Sequence, residues 1–172
     1  MILDVIKYVI SFILLVLFQG LILNNIELGG YVNPYLYVLF ILMLPFETPS
    51  WLVLLLGFVL GLSVDVFTST LGMHISATVF MAFARAYLLK MIQPRGGYDF
   101  GLKPNVQMMG VLWYLMYAGI LVALHHLFLF YIESFKLTQF FSTMGRALLS
   151  IFFTLVLVFI FQLFSYKSTT KS

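Results

Sequence analysis

Six stretches of this chain are apolar over close to the length a helix needs to cross a bilayer, and no other feature limits its fold as tightly. The hydrocarbon core takes about 20 helical residues. The runs cover approximately residues 5–23, 35–46, 51–67, 73–92, 108–132 and 143–164. Of the 172 residues, 63% are hydrophobic and 9% charged, whereas a soluble domain carries about a quarter charged residues. The polar stretches between runs are loop-sized. The expected fold is therefore an all-α integral membrane protein, a six-transmembrane-helix bundle forming one membrane domain over residues 1–172. Its first run has no small-residue cleavage pattern and reads as a retained span.

The run 35–46 is the short one. It opens at Asn33-Pro34, a cap followed by the proline favoured at the first helical position, and closes at Pro45. It reads either as a span extended by its flanks or as a re-entrant piece, and charge arbitrates. Lys90, Arg95 and Lys103 surround the polar loop 93–107, while Lys7, Lys167 and Lys171 mark the two ends. Six crossings put these three segments on one side, which the positive-inside rule makes cytoplasmic, with both termini there. The net charge of +3 is local in origin and carries topology, so no nucleic-acid partner is expected. The absence of cysteine excludes disulfides and thiolate metal sites.

Polar residues within the runs are few enough to weigh one by one. Gly57 and Gly61 form a GxxxG pair, and Asp65 continues the same stripe one turn on. Asp65 can hydrate at the outer interface, cap the next helix, or dock a partner. The turn through Gly72 leads into a second small-residue stripe, His74, Thr78, Ala82 and Ala86, with Arg85 beside it. The two runs thus read as a tightly packed hairpin. Arg85 can snorkel to the cytoplasmic interface or pair across helices, with Glu47 as candidate partner. Adjacent His125 and His126 point about 100° apart and cannot chelate one ion from one helical face. His126 lies on the face of Glu133, and Asp65, His74, Glu133 and Arg146 all fall toward the outer half. They either line an outward-facing cavity or stand apart at the interface.

Catalytic patterns are missing: the sequence has no His-Glu-x-x-His helix, no serine elbow and no glycine-rich phosphate loop. The expectation is a protein that is not an enzyme and needs no cofactor or metal.

The stretch GFVLGLSVDVFTSTLGMHISATVFMAF, from Gly57 to Phe83, resembles the core of the rod shape-determining protein MreD family. The likeness extends upstream to NPYLYVLFILMLPFETPSW and downstream to QPRGGYDFG and WYLMYAGILVALHHLFLFYIESF. The resemblance implies a non-enzymatic scaffold of the bacterial plasma membrane, acting in cell-shape control and lateral peptidoglycan synthesis. It implies an MreC-like bitopic membrane protein as partner and, through it, actin-like MreB and the wall-synthesis glycosyltransferase and transpeptidase. The family's fold is similar to the S-components of energy-coupling-factor transporters. That likeness supplies the alternative, a vitamin-binding S-component with an outward-facing pocket.

Overall fold

The computed structural model describes residues 2–26, 32–70, 72–134 and 140–169. All regular structure among them is helical. The elements are α1 (Ile2–Leu21), a 3₁₀ turn at Leu23–Asn25, a second at Leu36–Val38, α2 (Leu39–Met43), α3 (Ser50–Thr68), α4 (Met73–Met91), α5 (Val106–Met109), α6 (Val111–Ser134) and α7 (Phe140–Thr169). Four helical stretches are long and apolar enough to cross a membrane: Ile2–Asn25, Ser50–Thr68, Val111–Ser134 and Phe140–Phe164. The fifth long helix, α4, has the length, but His74, Arg85 and Lys90 dilute its apolar character.

Side chains are distributed as such a chain requires. On α3, Val53, Gly57, Leu60, Gly61, Val64 and Asp65 turn inward, while Trp51, Leu55, Phe58, Leu62 and Val66 are exposed. Exposed apolar faces this extensive would be a liability in water and are ordinary against lipid. Helices α3 and α4 form an antiparallel hairpin, α4 packs on α6, α6 on α7, and α1 on α3.

Within the bundle lies the segment 33–46, where the structure departs from the expected second helix. Asn33-Pro34 does not start a helix. Tyr35 precedes a single 3₁₀ turn, α2 spans five residues, and the chain leaves helical geometry at Leu44 ahead of Pro45. This segment is nevertheless the most enclosed part of the molecule, with Tyr37, Val38, Leu39, Ile41 and Leu42 each 0% exposed.

Irregular backbone at such depth is tolerable only where other groups satisfy its N–H and C=O, and here side chains from four helices do so. The N–H of Asn33 donates to Ser150 Oγ and that of Tyr35 to Thr154 Oγ1, both at 3.0 Å from α7. Gln19 of α1 accepts from the Tyr37 N–H at 3.4 Å and donates to the Pro34 carbonyl at 3.2 Å. At the other end Tyr117 of α6 donates to the Leu42 carbonyl at 3.3 Å, and Arg85 of α4 donates to those of Leu44 and Pro45 at 2.5 and 3.2 Å. The segment thus runs from the level of the α4 N-terminus to that of Arg85.

The remaining boundaries differ from the sequence expectation by a few residues. The run 108–132 is divided by Gly110 (φ 84°), which separates α5 from α6. The loop after α4 folds back on the bundle, with Tyr98 stacked on Phe46 at 4.1 Å between ring centroids and donating to the Leu89 carbonyl at 2.9 Å. Lys7 and Lys103 line one cavity, so the start of α1 and this loop share an end of the molecule. Lys171 lies outside the described residues.

Candidate functional site

Asp65 is held inside the hairpin. Oδ1 accepts from the His74 N–H at 3.1 Å and from the Thr70 hydroxyl, and Oδ2 accepts from the Ile75 N–H at 3.0 Å. The two N–H groups are first-turn donors of α4 that lack partners within their own helix, at the positive end of its dipole. The turn is built for this return. Ser69 (φ 55°) ends α3 in the left-handed region, and Gly72 (φ 79°) occupies the same region immediately before α4, where a side chain would be strained. Asp65 is therefore an N-cap supplied from the preceding helix, the helix-capping option among the sequence readings. Replacing it with Asn turns one acceptor into a donor facing an N–H, so Asp65→Asn is expected to cost about 1–2 kcal/mol. Unfolding in detergent measures this, and a loss below about 0.5 kcal/mol would remove the cap from the account.

The glycine stripe faces α4. A Cβ on Gly57 would meet Ala82 Cβ at 3.1 Å and the Thr78 carbonyl at 3.2 Å, and one on Gly61 would meet Ile75 Cα at 2.5 Å. Gly57, Gly61, Asp65, Thr78 and Ala82 are thus consumed in contacts within the chain, so the stripe offers no free face to a second protein.

His74 belongs to a second set of contacts, centred on Tyr37. The Tyr37 hydroxyl lies 2.9 Å from His74 Nδ1 and 2.8 Å from His125 Nε2, and His125 Nδ1 lies 3.4 Å from His126 Nδ1. His126 in turn places Nδ1 2.9 Å from the Val122 carbonyl and Nε2 2.9 Å from Thr154 Oγ1. Donor counting fixes a direction along this chain. The Val122 carbonyl only accepts, so His126 Nδ1 carries the proton and its Nε2 accepts from Thr154. His125 Nε2 then donates to Tyr37, whose own proton goes to His74. Every bond closes with one proton on each ring. Tyr35 packs against all three rings, with centroids 5.2 Å from His74, 6.1 Å from His125 and 5.3 Å from His126.

Of the outer polar candidates the structure brings together His74 and Glu133, which line one cavity. His126 is fully buried and bonds to Thr154 of α7. Glu133 is exposed and, with Asn33, Tyr35, Thr70 and His74, lines a cavity of about 240 Å³. Arg146 stands over the Phe130 ring at 5.4 Å, and its buried Nε has no hydrogen-bond partner among the described residues. Arg85, 2% exposed, is buried in the bundle and does not extend to the interface. Nor does it pair with Glu47, which accepts instead from the Gly101 N–H at 2.6 Å. Arg85 donates through Nε to Tyr117 Oη at 2.8 Å and through Nη2 to the carbonyls at the α2 break.

Gln19, Tyr37, Tyr117, Ser150 and Thr154 escaped the sequence reading as functional groups. One signal for α7 was present, since Thr143, Ser150, Thr154 and Gln162 are buried at helical spacings. Among the described residues no group of three or more His, Cys, Asp or Glu is placed to hold a metal ion. In comparison with known proteins, the chain matches no family model, no curated protein and no solved structure.

Proposed function

We propose that this chain is a non-enzymatic scaffold of the bacterial cell-elongation complex, an MreD-type protein of the plasma membrane that acts in rod-shape determination and lateral peptidoglycan synthesis. The observation that carries the reading is what the family-like stretch does. From Gly57 to Phe83 it forms the α3–α4 hairpin, and its distinctive residues serve close approach, capping and turning. These are architectural roles, as a scaffold requires. An MreC-like bitopic helix would seat on the apolar outer faces, and the actin-like filament and wall synthases would be reached through it.

In this reading segment 33–46 is a sixth pass, and both chain ends are cytoplasmic. The shared cavity of Lys7 and Lys103 supports the arrangement. A reporter fused after Thr48 is expected to behave as cytoplasmic.

Depletion tests the function directly. Cells should lose rod shape, and the tagged protein should co-purify with a bitopic membrane protein. Unchanged morphology with impaired vitamin uptake would overturn the proposal in favour of an S-component. The cavity beside Glu133 favours that second reading, but its volume falls below the roughly 300–1,000 Å³ usual for small-molecule sites.

A further inference from the structure

At the Arg85 end of the α3–α4 hairpin a cavity of about 320 Å³ is lined by Thr48, Ser50, Arg85, Lys90, Gln93 and Tyr98, together with apolar side chains. Two cations line it, and among the described residues no Asp or Glu does. The nearest acid in sequence, Glu47, is engaged by the Gly101 N–H. We propose that this cavity is a binding site for a phosphate group.

Three independent sets of donors converge there. Arg85 is almost wholly buried, with Nε and Nη2 bonded inside the protein, while Nη1 makes no hydrogen bond among the described residues. Its bonded partners are a hydroxyl and two carbonyls, so among the described residues the guanidinium charge has no carboxylate against it. A buried charge held only by neutral dipoles gains most from an anion. Lys90, on the Ala82 and Ala86 row of α4, supplies a second charge to the same cavity. Opposite them begins α3, a helix of 19 residues whose cap residue is Pro49 and which has no side-chain cap bond. Its first acceptor-directed bonds come from the Leu52 and Val53 N–H groups, leaving that of Ser50, which lines the cavity, without a protein acceptor among the described residues. Unpaired N–H groups at a helix start favour an anion. Donors arriving from α3 and from two rows of α4 suit the tetrahedral oxygens of phosphate better than a planar carboxylate.

That phosphate has two possible sources, the headgroup of a bilayer phospholipid and soluble phosphate. The full chain in neutral detergent micelles is offered inorganic phosphate alone and, separately, either phosphatidylglycerol or diacylglycerol, which lacks the phosphate. Bound mass is read by native mass spectrometry and binding strength by titration. Binding of either phosphate probe is expected, and the arm that binds names the source. Lys90→Gln, at an exposed position, should weaken binding about tenfold, and Ser50→Asp should abolish it by supplying an internal anion. Both variants keep Arg85, so the bundle stays intact. The site is overturned if neither probe binds, if diacylglycerol is retained as well as phosphatidylglycerol with no response to phosphate, or if both variants bind like the parent chain.

Discussion

Arg85→Met is expected to destabilise the folded bundle by about 2–4 kcal/mol, although it removes a buried charge. Two terms compete. Replacing buried ionic groups with apolar ones of similar size is often neutral or favourable, because their desolvation cost disappears. That applies where both members of a pair are removed. Here the other members are the main-chain carbonyls of Leu44 and Pro45, which no side-chain substitution removes. Each buried acceptor left unmet costs about 1–3 kcal/mol. The relief from desolvation is limited, because Arg85 also faces a polar cavity. Tyr117 retains its bond to Leu42 and so holds part of the break. Arg85→Lys should recover only part of the loss, since one compact ammonium cannot serve Tyr117 and two carbonyls in the geometry of a planar guanidinium. Equilibrium unfolding of the three proteins in mixed micelles provides the ranking. Wild-type stability for Arg85→Met would mean that the break is not held from α4.

The same break shows what was legible in the sequence and what was not. Long helices declared themselves through local composition, and α3 and α4 begin and end within one residue of the apolar runs 51–67 and 73–92. The GxxxG stripe and the small-residue row on α4 are also local patterns, so the close hairpin could be inferred. What occupied Asp65 could not, because hydration, capping and docking share one sequence signature; only the 3.0 and 3.1 Å bonds to α4 separate them. Segment 33–46 misled for a different reason. Its apolar composition is what burial demands, and composition does not distinguish a buried helix from buried irregular chain. The bonds that release it from helical geometry come from residues 117 and 119 positions away, Ser150 and Thr154. No local periodicity carries such information. His125 and His126 illustrate the same limit. Their 100° divergence on α6, weighed only against one shared ion, also lets two neighbours serve different partners, Tyr37 on one side and Thr154 on the other.

Gly61→Ala should be severely damaging, costing about 3 kcal/mol or more, the upper part of the range for overpacked cores. The added Cβ would lie 2.5 Å from Ile75 Cα and 2.6 Å from the His74 carbonyl. Both are backbone atoms of the first turns of α4, so no rotamer change can make room. The helices must separate, and separation also draws Asp65 away from the His74 and Ile75 N–H groups it caps. Gly57→Ala provides the internal control. It adds the same methyl one turn earlier on the same face, yet meets Ala82 Cβ at 3.1 Å and the Thr78 carbonyl at 3.2 Å, distances that a shift of a few tenths of an ångström relieves. Its expected cost is about 1 kcal/mol. Melting temperatures of the two variants in the same detergent measure the asymmetry. Combining Gly61→Ala with Asp65→Asn sharpens the test: if one helix separation underlies both losses, the double variant loses less than the sum of the single losses. Equal effects of the two glycine substitutions, or full additivity with Asp65→Asn, would show that Gly61 does not set the spacing through which Asp65 reaches α4.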